Sequence, residues 1–471
     1  MGLRGPLAGV LALLLTTIPI ASAMADPVPA AAIDRDVTAA LRRFGVPGAA
    51  VQVTRQGTVI YTKAFGSRDV PGGAPVRPDT FFEIGSITKQ FTAAAILQLQ
   101  EAGKLQVDRA LADYLPDAPH AAEVTLRQLL THTSGLHEYL DGPGIDELAT
   151  RPIAYPDLIA RVAPLPLDFP PGSRWSYSNT GYLLLGKVIE AVSGESYRAY
   201  LQHHIFDPLG LGEMRTTAEE PHLSNMAIGH HHVDGRLERA GIIGPDWAGP
   251  AGFLVMRLSD LAVWDASLRS GKVISADSYR QMTTPFMTSQ NGSADYGFGL
   301  FVGTVYGQPR IGHTGGSLGF TTADEYFPRQ DVRIVALTNL GDNSPEAGEA
   351  LTNIVFADLY PALVAAAERP APDEDTHVTQ AATDAFRDLQ TGGDYAHFGA
   401  ILGAKLANGK GAKFVTDLGP YGAPTAATFK GARQSGAERW YDYVLHFGPG
   451  VFLSFAVRLG EDGKVAGFSI G

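Results

Sequence analysis

The 471-residue chain contains no cysteine. Disulfide bonds, thiolate metal ligands and a cysteine nucleophile are therefore all excluded. A large domain does not need disulfides, because its hydrophobic core is big enough to hold it folded. Runs of Lys and Arg are also missing, and the net charge is −12. This acidic balance predicts that the protein does not bind nucleic acid.

Long hydrophobic runs are absent except at the N-terminus. Arg4 precedes an apolar stretch from Leu7 to about Ile20, and small residues follow at 21–25. This order is typical of a secretory signal peptide spanning 1–25. The alternative is a membrane anchor, but the stretch is short for a span of about 20 residues. We therefore expect a secreted or periplasmic protein without stable membrane insertion after cleavage.

Hydrophobic periodicity predicts strands at both ends of the region 26–367 and helices between them. The predicted helices cover 33–44, 86–102 and 345–367, with a mostly helical stretch from 103 to about 290. The predicted strands cover 49–54, 58–65, 296–305, 308–311, 321–327 and 333–338. This arrangement indicates an α/β (α+β) fold, with an antiparallel sheet flanked by helices and an all-helical lobe.

The amino-acid composition and the order of predicted elements change after residue 367. A polar, proline-bearing stretch at 368–376 is typical of a linker. Two short helices are predicted between 381 and 405, followed by strands at 425–430, 440–447 and 451–459 and one more after the turn at 461–464. This order is similar to small α+β domains of the NTF2-like type. We therefore predict an accessory domain over 377–471.

The first candidate for chemistry is the sequence Ser-Ile-Thr-Lys from Ser86 to Lys89. Residues i and i+3 of a helix lie on the same face, so Lys89 would sit beside Ser86. A serine hydroxyl becomes a good nucleophile when a base takes its proton. Burial lowers the pKa of a lysine and would make Lys89 such a base.

Two further motifs follow in the chain. Tyr177 precedes a serine and Asn179, and a tyrosine can relay a proton when a cation lowers its pKa. Asn179 can contact both a substrate carbonyl and Lys89. His313-Thr-Gly-Gly lies between two predicted strands, where the glycines would let substrate approach a strand edge. The N–H groups of Gly316 and Ser86 could form an oxyanion hole.

Ser-x-x-Lys, Tyr-Ser-Asn and His-Thr-Gly in this order resemble the signature of the penicillin-recognising serine enzymes. The tyrosine version is similar to class C β-lactamases, D-alanyl-D-alanine carboxypeptidases and family VIII carboxylesterases. The resemblance runs from about 34 to 359, and three supporting stretches carry it further: Leu129 to Leu136 (Leu-Leu-Thr-His-Thr-Ser-Gly-Leu), Tyr296 to Gly299 (Tyr-Gly-Phe-Gly) and Leu337 to Asn339 (Leu-Thr-Asn).

The resemblance implies an acyl-enzyme on Ser86, with Lys89 and Tyr177 as catalytic partners and no metal or cofactor. It implies that Asn179, His313, Thr314 and Gly315 bind substrate. His313 replaces the lysine that typically anchors a substrate carboxylate in this family, and histidine is mostly neutral at pH 7. We therefore expect hydrolysis of esters, amides or small peptides, weak β-lactam hydrolysis, and an improvement of the latter as His313 gains charge toward pH 6.

Two other functions stay open from the sequence: a true class C-like β-lactamase, and a catalytically inactive regulator of peptidoglycan enzymes. The oligomeric state is not indicated. The sequence also does not decide whether Lys89 or Tyr177 takes the proton of Ser86.

Several other patterns have simpler interpretations. Gly315 to Gly319 (Gly-Gly-Ser-Leu-Gly) matches a nucleophile elbow around Ser317, but a predicted strand follows it where the elbow needs a helix. The triple histidine at 230–232 precedes a predicted solvated turn at 233–235, and this is a simpler interpretation than a metal site. His132 and His137 flank the sequence Thr-Ser-Gly at 133–135, which is expected to end a helix. Trp247 and Tyr139 could line the substrate groove or belong to the core.

Overall fold

The computed structural model describes residues 27–141, 144–288, 292–341, 347–372, 375–436 and 438–470. The predicted signal peptide therefore lies outside the described residues. The helices are α1 (Ala30–Phe44), α2 (Thr88–Glu101), α3 (Leu126–Leu130), α4 (Ile145–Ala149), α5 (Tyr155–Val162), α6 (Asn179–Ser193), α7 (Tyr197–Leu201), α8 (Asp207–Leu209), α9 (Pro245–Gly252), α10 (Leu258–Arg269), α11 (Ala276–Met282), α12 (Ala347–Leu359), α13 (Pro361–Ala367), α14 (Thr376–Thr391), α15 (Ala400–Lys405) and α16 (Ala412–Leu418).

The strands form one large sheet, one smaller sheet and three short two-stranded pairs. They are β1 (Gly48–Arg55), β2 (Thr58–Gly66), β3 (Phe82–Glu83), β4 (His230–Val233), β5 (Arg236–Arg239), β6 (Val255–Met256), β7 (Met287–Thr288), β8 (Gly292–Ser293), β9 (Phe301–Val305), β10 (Gln308–Ser317), β11 (Phe320–Phe327), β12 (Val332–Thr338), β13 (Ala426–Ser435), β14 (Glu438–His446), β15 (Phe452–Leu459) and β16 (Val465–Ile470). The large sheet is antiparallel, in the order β2-β1-β12-β11-β10-β9.

The large sheet is covered on both faces. Side chains alternate along β12: Val335 and Leu337 join the core of the helical lobe, whereas Ile334 and Ala336 pack with α1 and α12. Helix α2 runs through the centre of the lobe and is buried over most of its length. The predicted fold class is confirmed. Within this sheet the first strand in the chain, β1, pairs with the last strand in the chain, β12.

Two of the predicted elements that differ in extent have a clear physical reason. The predicted strand 296–305 is a strand only from Phe301, because Gly299 has a positive φ of 69° and packs against the Lys89 carbonyl, where a Cβ would lie 2.6 Å from that oxygen. The predicted helix 345–367 is two helices, bent by 108°. Pro361 begins the second one, since proline lacks an N–H and clashes inside a helix.

The C-terminal residues have their own core. Phe386 and Leu389 of α14 pack with Leu445, Phe455 and Val457 of the four-stranded sheet β13-β14-β15-β16. The predicted strands are present, but α14 begins inside the predicted linker and α16 was not predicted. The domain limits and the NTF2-like classification stay predictions.

Within the described residues no single helix is both long and apolar enough to span a bilayer. The bent pair α12 and α13 meets the length and composition criteria together.

Candidate active site

Ser86 lies in a short 3-10 turn, Gly85–Ile87, that leads directly into α2. The helix was predicted to begin at Ser86, but its regular part starts at Thr88. The three-residue spacing still brings Lys89 beside the serine, with Nζ 2.9 Å from Ser86 Oγ. Lys89 is completely buried, whereas Ser86 is half-buried at the base of a groove.

The surroundings of Lys89 orient its amine toward the serine. Nζ donates to Asn179 Oδ1 and to the Ala251 carbonyl, both at 2.8 Å. A neutral amine has two hydrogens and one lone pair. If the two hydrogens are used in these bonds, the lone pair faces Ser86 Oγ, as a base for this hydroxyl requires.

Burial lowers the pKa of Lys89 to about 7, although the nearby Glu138 carboxyl acts in the opposite direction. A substantial fraction of Lys89 is then neutral at physiological pH. An ordinary lysine, with a pKa near 10.4, would be almost fully protonated there. The buried site therefore supplies the activation that the sequence motif requires.

Glu138 is a residue of the site that the sequence analysis missed. It is buried, and its carboxylate accepts hydrogen bonds from the backbone N–H of Asn179 and from that of Leu140, the latter at 3.1 Å. Burial raises the pKa of this carboxyl, while the two backbone bonds and Lys89 lower it. Glu138 therefore fixes the start of α6 and with it the Asn179 side chain.

Tyr177 lies over the same lysine. Lys89 Nζ is 4.8 Å from the centroid of its ring. The ring also lies near His132, with ring centroids 4.2 Å apart. Ser86, Lys89, Tyr177 and Asn179, which the sequence singled out, are thus brought together, and their roles stay predictions.

His132 supports the Tyr-Ser-Asn segment and is more than the helix stop that the sequence suggested. Its Nδ1 accepts from the Ser178 N–H at 3.1 Å, and its carbonyl accepts from the Ser176 N–H at 2.9 Å. Burial, together with the charge of Lys89, keeps the pKa of His132 well below its usual value. Neutral His132 therefore anchors residues 176–178, which include Tyr177, through its imidazole and its backbone carbonyl.

The third motif lies inside β10 and not between strands as predicted. Its edge packs directly on the turn that carries Ser86. A Cβ on Gly315 would lie 2.0 Å from the Ile84 carbonyl oxygen, and one on Gly85, whose φ is +51°, would lie 2.7 Å from that of Gly316. This close approach requires glycine at both positions. It brings the exposed Gly316 next to Ser86, as an oxyanion hole formed by their two N–H groups requires.

His313 is buried, and the prediction that it gains charge toward pH 6 is wrong. Its Nε2 is 2.9 Å from the Tyr296 hydroxyl, and its Nδ1 is 2.5 Å from the Thr314 carbonyl. Burial, assisted by the charge of Lys89, lowers the pKa of His313 to about 3. The imidazole is therefore neutral throughout the physiological range. The expected gain in β-lactam hydrolysis at lower pH has no physical basis.

A groove of about 720 Å³ opens above Ser86. Gly316 and Ser317 line it on one side, and α4 lines it on another. Its described lining contains no Lys or Arg but does contain Asp146 and Glu147. Trp247 and Tyr139 do not line it: both are buried in the lobe, where Trp247 Nε1 donates to the Arg151 carbonyl at 2.8 Å.

The fold decides how two sequence patterns are interpreted: the possible nucleophile elbow at Ser317 and the triple histidine at 230–232. Ser317 ends β10 and is followed by β11, so no nucleophile elbow forms. His230 is buried and accepts from the Val70 N–H at 3.2 Å, while the other two histidines continue β4. Across the described ranges no three potential metal ligands cluster.

The pKa of Lys89 sets a pH dependence. If neutral Lys89 is the base, kcat/KM should rise as pH increases through about 7 and then level off, because protonated Lys89 cannot accept the Ser86 proton. Initial rates on a neutral ester between pH 5.5 and 8.5 would measure this. A rate that is flat across this range would contradict the assignment of the base.

Comparison with known proteins agrees with this geometry. The family model described as Beta-lactamase matches residues 33–359. A D-aminopeptidase of Cereibacter sphaeroides is 28% identical over 325 residues, which make up 68% of this chain and 62% of that protein. Esterase EstB of Burkholderia gladioli is 35% identical over 224 residues, 44% of this chain and 56% of the esterase.

Among solved structures, a D-stereospecific amidohydrolase from Streptomyces sp. matches 71% of this chain and 99% of its own, with a TM-score of 0.59 and 27% identity. The chain spans about three fifths of the length of the two curated relatives named above. The family match covers more than half of the chain and includes all three motifs. The chain therefore belongs to the beta-lactamase family.

Proposed function

We propose that the protein is an exported serine hydrolase that cleaves esters, amides or small peptides through an acyl-enzyme on Ser86 and acts weakly on β-lactams. The observation that carries the proposal is the 2.9 Å approach of Lys89 Nζ to Ser86 Oγ at the base of an open groove. The export part of the proposal rests on the composition of residues 1–25 alone.

In this mechanism the Ser86 proton passes to neutral Lys89, directly or through Tyr177, while Oγ attacks the substrate carbonyl. The N–H groups of Ser86 and Gly316 stabilise the resulting oxyanion. The leaving amine or alcohol takes up the proton as the tetrahedral intermediate collapses. Water then attacks the acyl-enzyme with the same base and releases free Ser86.

The charges around the groove favour neutral or cationic substrates over carboxylates. His313 is neutral, and the whole chain carries a net charge of −12. The described groove lining contains no Lys or Arg and two acids, of which Glu147 is paired with Arg151. A β-lactam carboxylate would find little compensation there, whereas a free amino group would be attracted. The named relatives, a D-aminopeptidase, an esterase and a D-stereospecific amidohydrolase, agree with this preference.

The substrate class is tested with a panel of nitrocefin, p-nitrophenyl acetate and butyrate, D-alanine amide and D-alanine peptides. We expect turnover of short esters or D-amino-acid amides or peptides, and poor turnover of nitrocefin. Efficient nitrocefin hydrolysis at pH 8 without esterase or peptidase activity would favour a true β-lactamase instead.

Exchange of the residue at position 313 tests the electrostatic argument. His313→Lys should raise kcat/KM for nitrocefin by about 10-fold relative to that for esters, because a charged hydrogen bond contributes roughly 1.5–3 kcal/mol against about 1 for a neutral one. His313→Gln, which stays neutral, is the matched control and should not change the nitrocefin-to-ester ratio. Equal ratios in both variants would refute the argument.

A further inference from the structure

Two buried glutamates lie next to the candidate oxyanion hole and take no part in the mechanism above. Glu83 is in β3, three residues before Ser86, and is 1% exposed. Glu220 lies in a 3-10 turn, Glu220–His222, and is 5% exposed. Their carboxyl groups are hydrogen-bonded to each other.

Two adjacent buried carboxylates cannot both carry charge, because each would be desolvated beside a like charge. Burial raises the pKa of Glu83, and burial together with the Glu83 charge raises that of Glu220 to about 10. Among the described residues, the groups that act on these two carboxyls are each other and the Ser317 hydroxyl. The pair therefore holds a proton at neutral pH, with protonated Glu220 donating to Glu83.

Glu83 also accepts a hydrogen bond from Ser317 Oγ. Ser317 follows Gly316 on β10, and Glu83 precedes the turn that contains Ser86. One carboxylate thus connects the two segments that carry the two oxyanion donors. The Thr322 hydroxyl on β11 adds a second connection, since it lies within hydrogen-bond distance of the Ile84 carbonyl, at 3.1 Å, and of the Gly315 carbonyl on β10, at 3.3 Å.

The segment that carries Glu220 is held by backbone hydrogen bonds on both sides of this residue. Thr217 N donates to the Phe253 carbonyl at 3.0 Å, and Phe81 N donates to the Asn225 carbonyl at 2.9 Å. The donor of the pair therefore comes from a fixed loop and is aimed at Glu83. The Glu220 Oε2 atom is buried and has no hydrogen-bond donor facing it among the described residues, which agrees with a protonated carboxyl group.

We propose that the hydrogen-bonded Glu83–Glu220 pair, acting through Ser317, positions the end of β10 against the Ser86 turn and so sets the spacing of the two oxyanion N–H donors. Glu83, Glu220 and Ser317 are positioning residues, since their carboxyl and hydroxyl groups act through the backbone of Ser86 and Gly316. The inference rests on the proposed serine hydrolase function.

The test compares Glu220→Gln, which keeps a hydrogen-bond donor to Glu83, with Glu220→Leu, which does not. An oxyanion hole acts on the transition state, so a loosened one lowers kcat and leaves KM nearly unchanged. Using the D-alanine amide or ester identified by the panel, we expect kcat of Glu220→Leu to fall at least about 10-fold, below the 100- to 1,000-fold loss of a whole oxyanion donor. Glu220→Gln should stay within about 3-fold of the wild type.

Ser317→Ala removes only the link to β10 and should lower kcat by roughly 3- to 10-fold, again without a change in KM. It also keeps the proposal testable if Glu220→Leu does not fold. Asp358→Asn is the matched control: Asp358 pairs with Asp36 on α1, burial and that partner raise its pKa to about 6, and it lies away from the groove. Its kcat and KM should equal those of the wild type.

The pH dependence supplies a readout that a purely structural role would not change. Above about pH 10 the wild-type pair loses its proton and the two carboxylates repel each other, so kcat should fall between pH 8.5 and 10.5. Glu220→Gln has no such proton and should retain more of its kcat there than the wild type or Asp358→Asn.

Three results would overturn the inference: equal kcat in Glu220→Gln and Glu220→Leu, an unchanged kcat in Ser317→Ala, or the same alkaline loss in Glu220→Gln as in the wild type. Absence of any wild-type turnover would instead contradict the proposed function, and the inference would fail with it. Wild-type turnover that is insensitive to these substitutions would contradict the inference alone.

Discussion

Ser86→Ala is expected to abolish turnover of every substrate in the panel, with a loss in kcat of at least about 10,000-fold. Ser86 Oγ is the hydroxyl within 2.9 Å of Lys89 Nζ, and without it no acyl-enzyme can form. The fold should persist, because Ser86 is half-buried at the groove and its side chain contributes little to the core. Initial rates and the thermal unfolding midpoint would be measured together.

The matched control is Ser317→Ala, a serine that lines the same groove. Labelling with a fluorescent phosphonate should be lost completely in Ser86→Ala and only slowed in Ser317→Ala. Labelling of the wild type would also exclude the inactive regulator. The reverse result, with Ser317 essential and Ser86 dispensable, would show that the site has been assigned to the wrong serine.

The second large effect concerns Lys89 and Tyr177. Lys89→Ala and Tyr177→Phe should each lower kcat/KM by at least about 100-fold, the low end for acid–base catalysis. The effects should not multiply in the double variant, because both groups serve one proton transfer around Ser86 Oγ. Single and double variants assayed on the same ester, with unfolding midpoints, would give the coupling.

Lys187→Ala is the control variant: it also removes a lysine that lies over a tyrosine ring, but at a position outside the active site. Lys187 Nζ is 4.6 Å from the centroid of the Tyr155 ring, in a geometry close to that of Lys89 over Tyr177, but away from the Ser86 groove. We expect wild-type activity for this variant. Near-wild-type turnover in Tyr177→Phe would remove the phenol from the mechanism, and strictly multiplicative losses would mean that the two residues act in separate steps.

The contact between Lys89 and Ser86 could be predicted from the sequence because it depends on a short spacing. Ser86 and Lys89 are three residues apart, and one helical turn brings them together whether the first residue belongs to a 3-10 turn or to an α-helix. The strands β1 and β12 were predictable for a similar reason, since continuous apolar runs are typical of strands buried on both faces. The order of the three motifs then predicted the family.

Several errors arose where a distant contact overrode the local pattern, whereas the break at Pro361 is a local signal. The stretch 296–305 has the composition of a strand, yet the approach of Gly299 to the Lys89 carbonyl turns the chain and places Tyr296 beside His313. Glu138, His132 and Glu220 could not be assigned, because their partners are 40 or more residues away in the chain or lie in other elements.

The sequence alone determined which groups could react: a serine with a lysine one turn later, a tyrosine and asparagine in order, and a strand of glycines. Only the tertiary structure decided their protonation states. Burial lowers the pKa of Lys89 to about 7 and that of His313 to about 3, which makes Lys89 a usable base and leaves His313 neutral in the physiological pH range. The physical reason is that desolvation depends on what packs around a group from distant parts of the chain, and residue type and spacing do not contain that information.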